Sequence, residues 1–308
     1  MMRRLFLFLS LTFLTLSCQA QSWPECLNIT YVKAPFNIQN MVMKERALLE
    51  KEFEKEGLKI NWIPIKAGIN QVRGMAAGEI DMVAAMNTST LLIANANGNK
   101  IVIAGGVAHP DDTFAIMAKP EIKSVKDLKN KQIVGPKGTV LHHLLSAALQ
   151  HEGMTMSDVN WVSMNLPASL TTLLGGRADA ALLAAGGVLS AQKAGFHKVT
   201  SAKGLIQTNL VLAARADFAQ RYPEIVKRVA KVNRQALQWA LQNKQDAIAI
   251  GAKEHQISEQ EAEILFDWSH FYSDITEADL QALQASEKFL LAQKMIKQPV
   301  DIPSLLLK

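Results

Sequence analysis

Gln132-Ile-Val-Gly-Pro-Lys-Gly-Thr-Val-Leu-His-His-Leu-Leu-Ser-Ala-Ala-Leu-Gln150 is the stretch on which the fold turns. Residues 132–134 form a short apolar run that predicts a strand. Gly135-Pro-Lys-Gly138 ends it, because proline and glycine interrupt a ladder and permit a tight turn. From Thr139 to Gln150 the apolar residues Val140, Leu141, Leu144, Leu145, Ala148 and Leu149 recur at helical spacing, and Gly153 closes the segment. A strand that passes through a glycine loop into a helix is the building unit of an α/β domain.

The same alternation extends in both directions. Downstream, Val159 to Met164 predicts a strand and Ala168 to Leu174 a helix stopped by Gly175-Gly176. Ala178 to Ala184 then predicts a strand that runs into Ala185-Gly186-Gly187. Upstream, Phe114 to Ala118 predicts a strand, and Ser124 caps the turn that follows. Before it, strands are expected at Leu27–Val32, Leu58–Ile65, Ile80–Ala85 and Lys100–Ala104. Helices are expected between them at Asn40–Glu56, Asn70–Ala77 and Thr88–Ala96. Each block predicts a largely parallel sheet. After Asn209–Arg215 the strands stop. Residues 217–298 are predicted helical, with Ser258-Glu-Gln-Glu261 and Thr276-Glu-Ala-Asp279 as capping boxes, and the tail beyond Pro299 is expected to be loosely ordered. Two blocks and a helical tail predict two lobes: residues 27–112 with 209–308, and residues 113–208. The segments 113–118 and 208–215 are the expected crossings, and a cleft between hinged lobes is a usual place for a small ligand.

The start of the chain has the form of an export signal. Arg3 and Arg4 precede the apolar run Leu5–Leu16, and the small residues Ser17, Cys18 and Ala20 follow. A signal peptide over residues 1–20 is expected, since the run is too short for a comfortable membrane span. Two cleavage readings compete. Cleavage after Ala20 leaves a soluble chain and is slightly preferred; a lipoprotein site leaves an anchor on Cys18. Removing the signal lowers the formal net charge of +5 by two. Lysines and arginines are interleaved with acids, which excludes a nucleic-acid footprint. Cys18 and Cys26 are the only cysteines, too few for a disulfide framework or a thiolate metal site. His109-Pro-Asp-Asp112 predicts a turn, with too few convergent ligands for a metal. No nucleophile elbow, zinc-protease helix or phosphate loop is present, so neither catalysis nor ATP hydrolysis is expected of this chain, and no cofactor.

Four segments carry a family resemblance. Ile122-Lys-Ser-Val-Lys-Asp-Leu-Lys-Asn-Lys131 with Ile133–His142 is the first. Gly74-Met-Ala-Ala-Gly-Glu-Ile-Asp81 and Leu174-Gly-Gly-Arg-Ala-Asp-Ala180 form a pair, and Ala213-Ala-Arg-Ala-Asp-Phe-Ala-Gln-Arg-Tyr-Pro-Glu224 is the last. In this order they resemble solute-binding proteins of the nitrate, sulfonate, taurine and thiamine-precursor transporters, over roughly residues 27–240. The resemblance implies an α/β, two-lobed periplasmic-binding-protein fold of type II, hinged by two crossing strands, with the C-terminal helices on the first lobe. It also implies an inner-membrane ABC permease with a cytoplasmic ATPase as partner, and a monomer is expected. Its binding loops correspond to residues 34–39, 86–90, 137–139 and 184–187. Many relatives carry Trp-Glu-Pro at the last loop, where this chain has Ala185-Gly186-Gly187, so a bulky wall and a carboxylate are missing.

The chemistry of those loops selects the candidate residues. Asn87, Thr88 and Ser89 stand directly before a helix, where free backbone N–H groups and the dipole favour an anion or a polar group. Plain capping would use the same residue types. Gly138 and Thr139 repeat the arrangement in the second block, and His142 lies in the helical turn beyond. Lys137 in such a loop is ordinarily solvated. Asn37 and Gln39 follow the first strand, and Ala185 and Gly186 contribute backbone. With neutral donors and no paired arginines, the expected ligand is a small oxyanion-bearing organic solute, sulfonate-like, captured in the periplasm. A thiamine-pyrimidine-type precursor, an enzyme on the same fold, or a ligand sensor are the alternatives.

Overall fold

The computed structural model describes residues 23–32, 34–65 and 68–307. The expected signal peptide and Cys18 lie outside the described residues. Among the described residues, ten strands form two five-stranded sheets. The first contains β1 (Cys26–Tyr31), β2 (Lys59–Pro64), β3 (Met82–Asn87), β4 (Ile101–Ala108) and β10 (Leu210–Arg215), in the order β2-β1-β3-β10-β4. The second contains β5 (Phe114–Ala118), β6 (Gln132–Gly135), β7 (Asn160–Ser163), β8 (Ala180–Ala184) and β9 (His197–Ser201), in the order β7-β6-β8-β5-β9.

The helices that leave the parallel strands are α1 (Ile38–Glu45), α3 (Gly68–Ala76), α4 (Thr88–Ala96), α5 (Val140–His151), α6 (Leu166–Leu174) and α7 (Gly186–Lys193). Between α1 and β2 lies the short α2 (Leu48–Glu52). The rest of the helical layer is α8 (Ala216–Arg221), α9 (Pro223–Gln242), α10 (Lys244–His255), α11 (Glu259–Ser269) and α12 (Glu277–Ala292).

The two sheets have one topology. In each, four strands point the same way, three of them as parallel neighbours, and a fifth strand antiparallel to them is inserted before the edge. The sheets are therefore mixed, not largely parallel, because β10 and β5 enter from the crossings and run back beside β3 and β8. The match extends to hydrogen bonds. Asp81 follows the left-handed Gly78 and accepts from Asn28 N at 2.9 Å; Asp179 follows the left-handed Gly176 and accepts from Gln132 N at 3.0 Å. Each aspartate also meets a cation of the antiparallel strand's end: Arg215 lies 3.6 Å from Asp81, and Lys119 lies 2.9 Å from Asp179. The pair of Gly-x-x-Asp turns seen in the sequence thus pins the start of a central parallel strand in each sheet.

The cores lie on both faces of each sheet. Leu27, Ile29, Met82, Leu212 and Val229 belong to one cluster of the first sheet, and Val83, Met86, Leu91, Leu283 and Leu290 to the other. Strands buried on both faces read as continuous apolar runs, as in Met82–Met86 and Ala180–Leu183.

Three expectations are corrected. The helix expected over Asn40–Glu56 is broken at Ala47, whose φ of 51° is left-handed, and so yields α1 and α2. The break lets both pieces pack on α9, with Arg46 over the Trp239 ring at 4.1 Å. The strand from residue 101 runs on to Ala108 because β10 pairs along its length. The C-terminal tail is ordered: Ile302 and Leu305 are buried, and Leu307 N donates to Ile103 O at 3.0 Å. Those apolar residues are too few for a periodic signal, and only the exposed edge of β4 shows where they bind.

Candidate functional site

At the carboxyl ends of β6 and β8, the second sheet's loops pack against the first sheet's side of the molecule. This is where open α/β sheets bind ligands, since the helices that follow begin there. The β6–α5 loop faces the first sheet's helices: a Cβ added to Gly138, whose φ is 72°, would stand 3.0 Å from Met295 Cε and 3.8 Å from Ile93 Cδ1. On the other side, Ala185 and Leu189 of the β8–α7 loop and helix pack in the same cluster as Phe36 and Ile38. Two cross-contacts bracket the gap. The His143 ring stacks on Phe289 of α12 at 4.1 Å. Lys193 of α7 pairs with Glu261 of α11 at 2.8 Å. That pair and the Ser258 cap hold the Glu261 carboxyl down at about 2.

The β1–α1 turn contributes three amides with no exposed surface, Asn37, Gln39 and Asn40. Asn37 Nδ2 donates to Val32 O at 2.7 Å and Ala34 O at 3.2 Å, which braces the turn around the cis Ala34–Pro35 bond. Gln39 Nε2 donates to Val107 O at 2.7 Å and Tyr272 O at 3.2 Å, tying α1 to the end of β4. Asn37 Oδ1, Gln39 Oε1 and both amide atoms of Asn40 have no partner among the described residues. Buried polar atoms are nearly always bonded, so these are groups that a ligand or an ordered water would satisfy. Asn40 escaped the sequence argument: an asparagine inside a helical pattern gives no signal of its own.

At the β3–α4 junction the division of labour is explicit. Asn87 is the cap, accepting from Ser89 N at 2.9 Å. Thr88 and Ser89 are buried in the first turn behind it. In the second sheet, Thr139 stands at the cap position of α5, but its hydroxyl donates to Pro136 O at 3.1 Å and so braces its own loop. Ala185 is the cap residue of α7, with φ 47° and ψ −123°. A non-glycine residue there carries backbone strain, of the kind concentrated at ligand-contacting turns. Gly186 follows with open space where a side chain would be.

His142 sits apart from the other candidates. Its ring stacks on Trp161 of β7 at 4.4 Å, and Phe289 meets it edge-on at 5.5 Å. Burial, and then the charge of Lys137, push its pKa down to about 4. His109 and Asp111 hold the crossings together: His109 Nδ1 lies 3.1 Å from Asn209 Oδ1, and Asp111 accepts from Thr208 N and Oγ1. Asp279 joins the network, accepting from Asn209 Nδ2 at 3.1 Å. A cavity of about 480 Å³ beside this network is lined by His109, Asp111, Leu205, Gln207 and His270. It lies at the hinge and holds none of the loop residues above. Among the described residues no cluster of metal-ligating side chains occurs.

One property separates the helix starts. The six helices that leave parallel strands, α1, α3, α4, α5, α6 and α7, carry no acidic residue in the first turn. All six others do: Glu50, Asp217, Glu224, Asp246, Glu259 with Glu261, and Glu277 with Asp279.

A family model described as NMT1/THI5 like matches residues 52–247. The chain is 29% identical over 190 residues to the taurine-binding periplasmic protein of Escherichia coli K12, covering 60% of this chain and 59% of that protein. It is 28% identical over 146 residues to a putative aliphatic sulfonates-binding protein of the same strain, covering 47% of this chain and 44% of that one. The aligned part therefore spans only about half the length of these two relatives. The crystal structure of the periplasmic aliphatic sulphonate binding protein SsuA from Escherichia coli superposes with a TM-score of 0.82 at 21% identity, covering 92% of this chain and 98% of that one. The desulfurization enzyme DSZB shares the fold at a TM-score of 0.67 and 13% identity, covering 92% of this chain and 96% of the enzyme. The architecture is thus the two-sheet α/β fold of periplasmic binding proteins.

Proposed function

Because the chain belongs to the NMT1/THI5-like family, we propose that it is an extracytoplasmic solute-binding protein that captures a small sulfonate-like anion between two lobes. The observation that carries this is the missing acids at the cleft-side helix starts. A helix N-terminus bears a partial positive charge that a first-turn carboxylate ordinarily offsets. Four such ends, those of α1, α4, α5 and α7, belong to the candidate binding loops and lack that compensation, beside buried amides without partners among the described residues. A diffuse positive field with neutral donors suits a weakly basic, delocalised oxyanion. The wall of Ala185-Gly186-Gly187 leaves room for a short organic tail.

Residues 27–112 with 209–308 act as one lobe and 113–208 as the other. Thr88, Ser89, Asn37, Gln39 and Asn40 supply the first lobe's contacts. Gly138, Thr139, Ala185 and Gly186 supply the second's, which form only on closure, so ligand shifts the open–closed population. His142 is left out of this set, because its ring stacks on Trp161. The closed form then delivers the solute to an ABC permease whose partner subunit hydrolyses ATP. The role is binding, not catalysis: the loops offer hydroxyls, amides and backbone N–H groups, with no paired base and nucleophile among them.

The test is a thermal-shift and calorimetric screen of the exported chain against taurine, short alkanesulfonates, nitrate, carboxylates and pyrimidines. Sulfonates should raise Tm through preferential binding to the folded state and be recovered unchanged. Replacing Thr88 and Thr139 together by valine should weaken binding without unfolding the protein. Undiminished affinity in that variant refutes the site, and product formation refutes the binding role.

A further inference from the structure

A second cavity, of about 230 Å³, lies behind the β6–α5 loop and reaches that loop only at Lys137. It is lined by Lys137, His142, Met156, Val159, Trp161 and Gln293. His142 is only 3% exposed, yet among the described residues its Nδ1 has no partner, and neither does the buried Trp161 Nε1. Two ring nitrogens shielded from water and unbonded are costly, and an indole N–H can only donate. Lys137 adds a positive charge to the lining, and Gln293, at the end of α12, adds an amide. Met156 and Val159 supply an apolar wall.

We propose that this cavity is a second binding site, for a small organic oxyanion, with Trp161 Nε1, His142 Nδ1 and Lys137 Nζ as its donors. Lys137 and His142 belong to the second sheet's β6–α5 unit, and Gln293 to the helical layer of the first. An anion here therefore bridges the same contact that His143 and Phe289 make, and holds the cleft closed from its rim. This gives His142 a role that its position outside the cleft loops otherwise leaves unexplained.

The test uses the indole N–H resonances of the ¹⁵N-labelled full chain, with the Trp161 signal assigned by Trp161→Phe. Sodium methanesulfonate is titrated against sodium chloride at constant ionic strength. Gly186→Asp serves as the cleft-blocked background, with the Thr88→Val, Thr139→Val pair as its substitute should that variant misfold. The Trp161 signal should move saturably in the wild type and in the cleft-blocked protein alike. Lys137→Ala should raise the midpoint about tenfold or more, the usual worth of a charged partner. An unmoved Trp161 signal in the wild type overturns the proposal. So does a shift that vanishes in the cleft-blocked background, which would mean that the indole only reports closure around the first site, or a midpoint unchanged by Lys137→Ala.

Discussion

The helix starts at the cleft and those on the outer layer obey opposite rules. On the outer layer, Ser258 with Glu261 and Thr276 with Asp279 form complete capping boxes, and every first turn carries an acid. At the cleft, the starts of α1, α4, α5 and α7 are occupied by Ile38, Thr88, Val140 and Gly186, with no carboxylate in the turn. Outer helices are stabilised locally by their own side chains. Cleft helices leave their positive ends uncompensated, and in the proposed function a bound anion recovers that electrostatic cost. The difference supports the proposed site by what its helices omit.

The largest expected effect comes from placing an acid where the cleft has none. Gly186→Asp has open space at its Cβ and completes the α7 start in the manner of an outer helix. Stability should hold or rise by about 0.5–1 kcal/mol, whereas sulfonate affinity should fall about a hundredfold, since like charges at an interface cost several kcal/mol. Calorimetry and urea denaturation on one preparation separate the two, and an unchanged affinity would break the comparison.

Acid titration addresses the contact that brackets the cleft. Burial pushes His142 and His143 from 6.5 to about 4 in the folded chain, with Lys137 adding to the first and His142 to the second. The unfolded chain therefore takes up these protons first. Stability should be full above pH 6.5 and fall by on the order of 3 kcal/mol for each histidine as pH drops to 4. His143→Phe should flatten part of that slope while keeping the stack on Phe289. A slope equal to that of the wild type would place the acid sensitivity elsewhere.

Removing an outer acid is the converse of adding one at the cleft. Asp279 is 1% exposed and accepts from Thr276 N and Oγ1 at 2.7 Å and from Asn209 Nδ2 at 3.1 Å. Asp279→Asn should cost about 2 kcal/mol in urea denaturation, because a carboxylate that accepts on both oxygens becomes an amide with one oxygen. The smallest effect belongs to the exposed Lys193–Glu261 bridge. Lys193→Ala should cost about 1 kcal/mol or less, and less still in high salt. A larger loss there would mean that closure, not the capping box, is the main work of Glu261.

Much of the architecture was legible because its signals are local. Strand ends, glycine stops and capping boxes are written in neighbouring residues, so Phe114–Ala118 and Thr88–Ala96 emerge with their observed limits. The break at Ala47 was not legible, because alanine is a good helix former and only the packing of α1 and α2 on α9 forces a left-handed residue there. The loops of the candidate site were also visible, through their helix-start residues and their resemblance to a family. Their internal roles were not: Asn87 caps, Thr139 braces Pro136, Asn40 adds an unpartnered amide, and His142 turns toward Trp161.

Taken alone, the sequence determined the alternation of strands and helices, the repeated Gly-x-x-Asp turns and the neutral chemistry of the loops, because each depends on backbone preferences within a few residues. Only the tertiary structure decided that those aspartates start matching strands in two sheets, that the second sheet's β6–α5 and β8–α7 units pack against the first sheet's side, and that Lys137, His142, Trp161 and Gln293 share a cavity. Such facts depend on which distant segments pack together, and packing is governed by shape and burial across the whole chain, which no local pattern encodes.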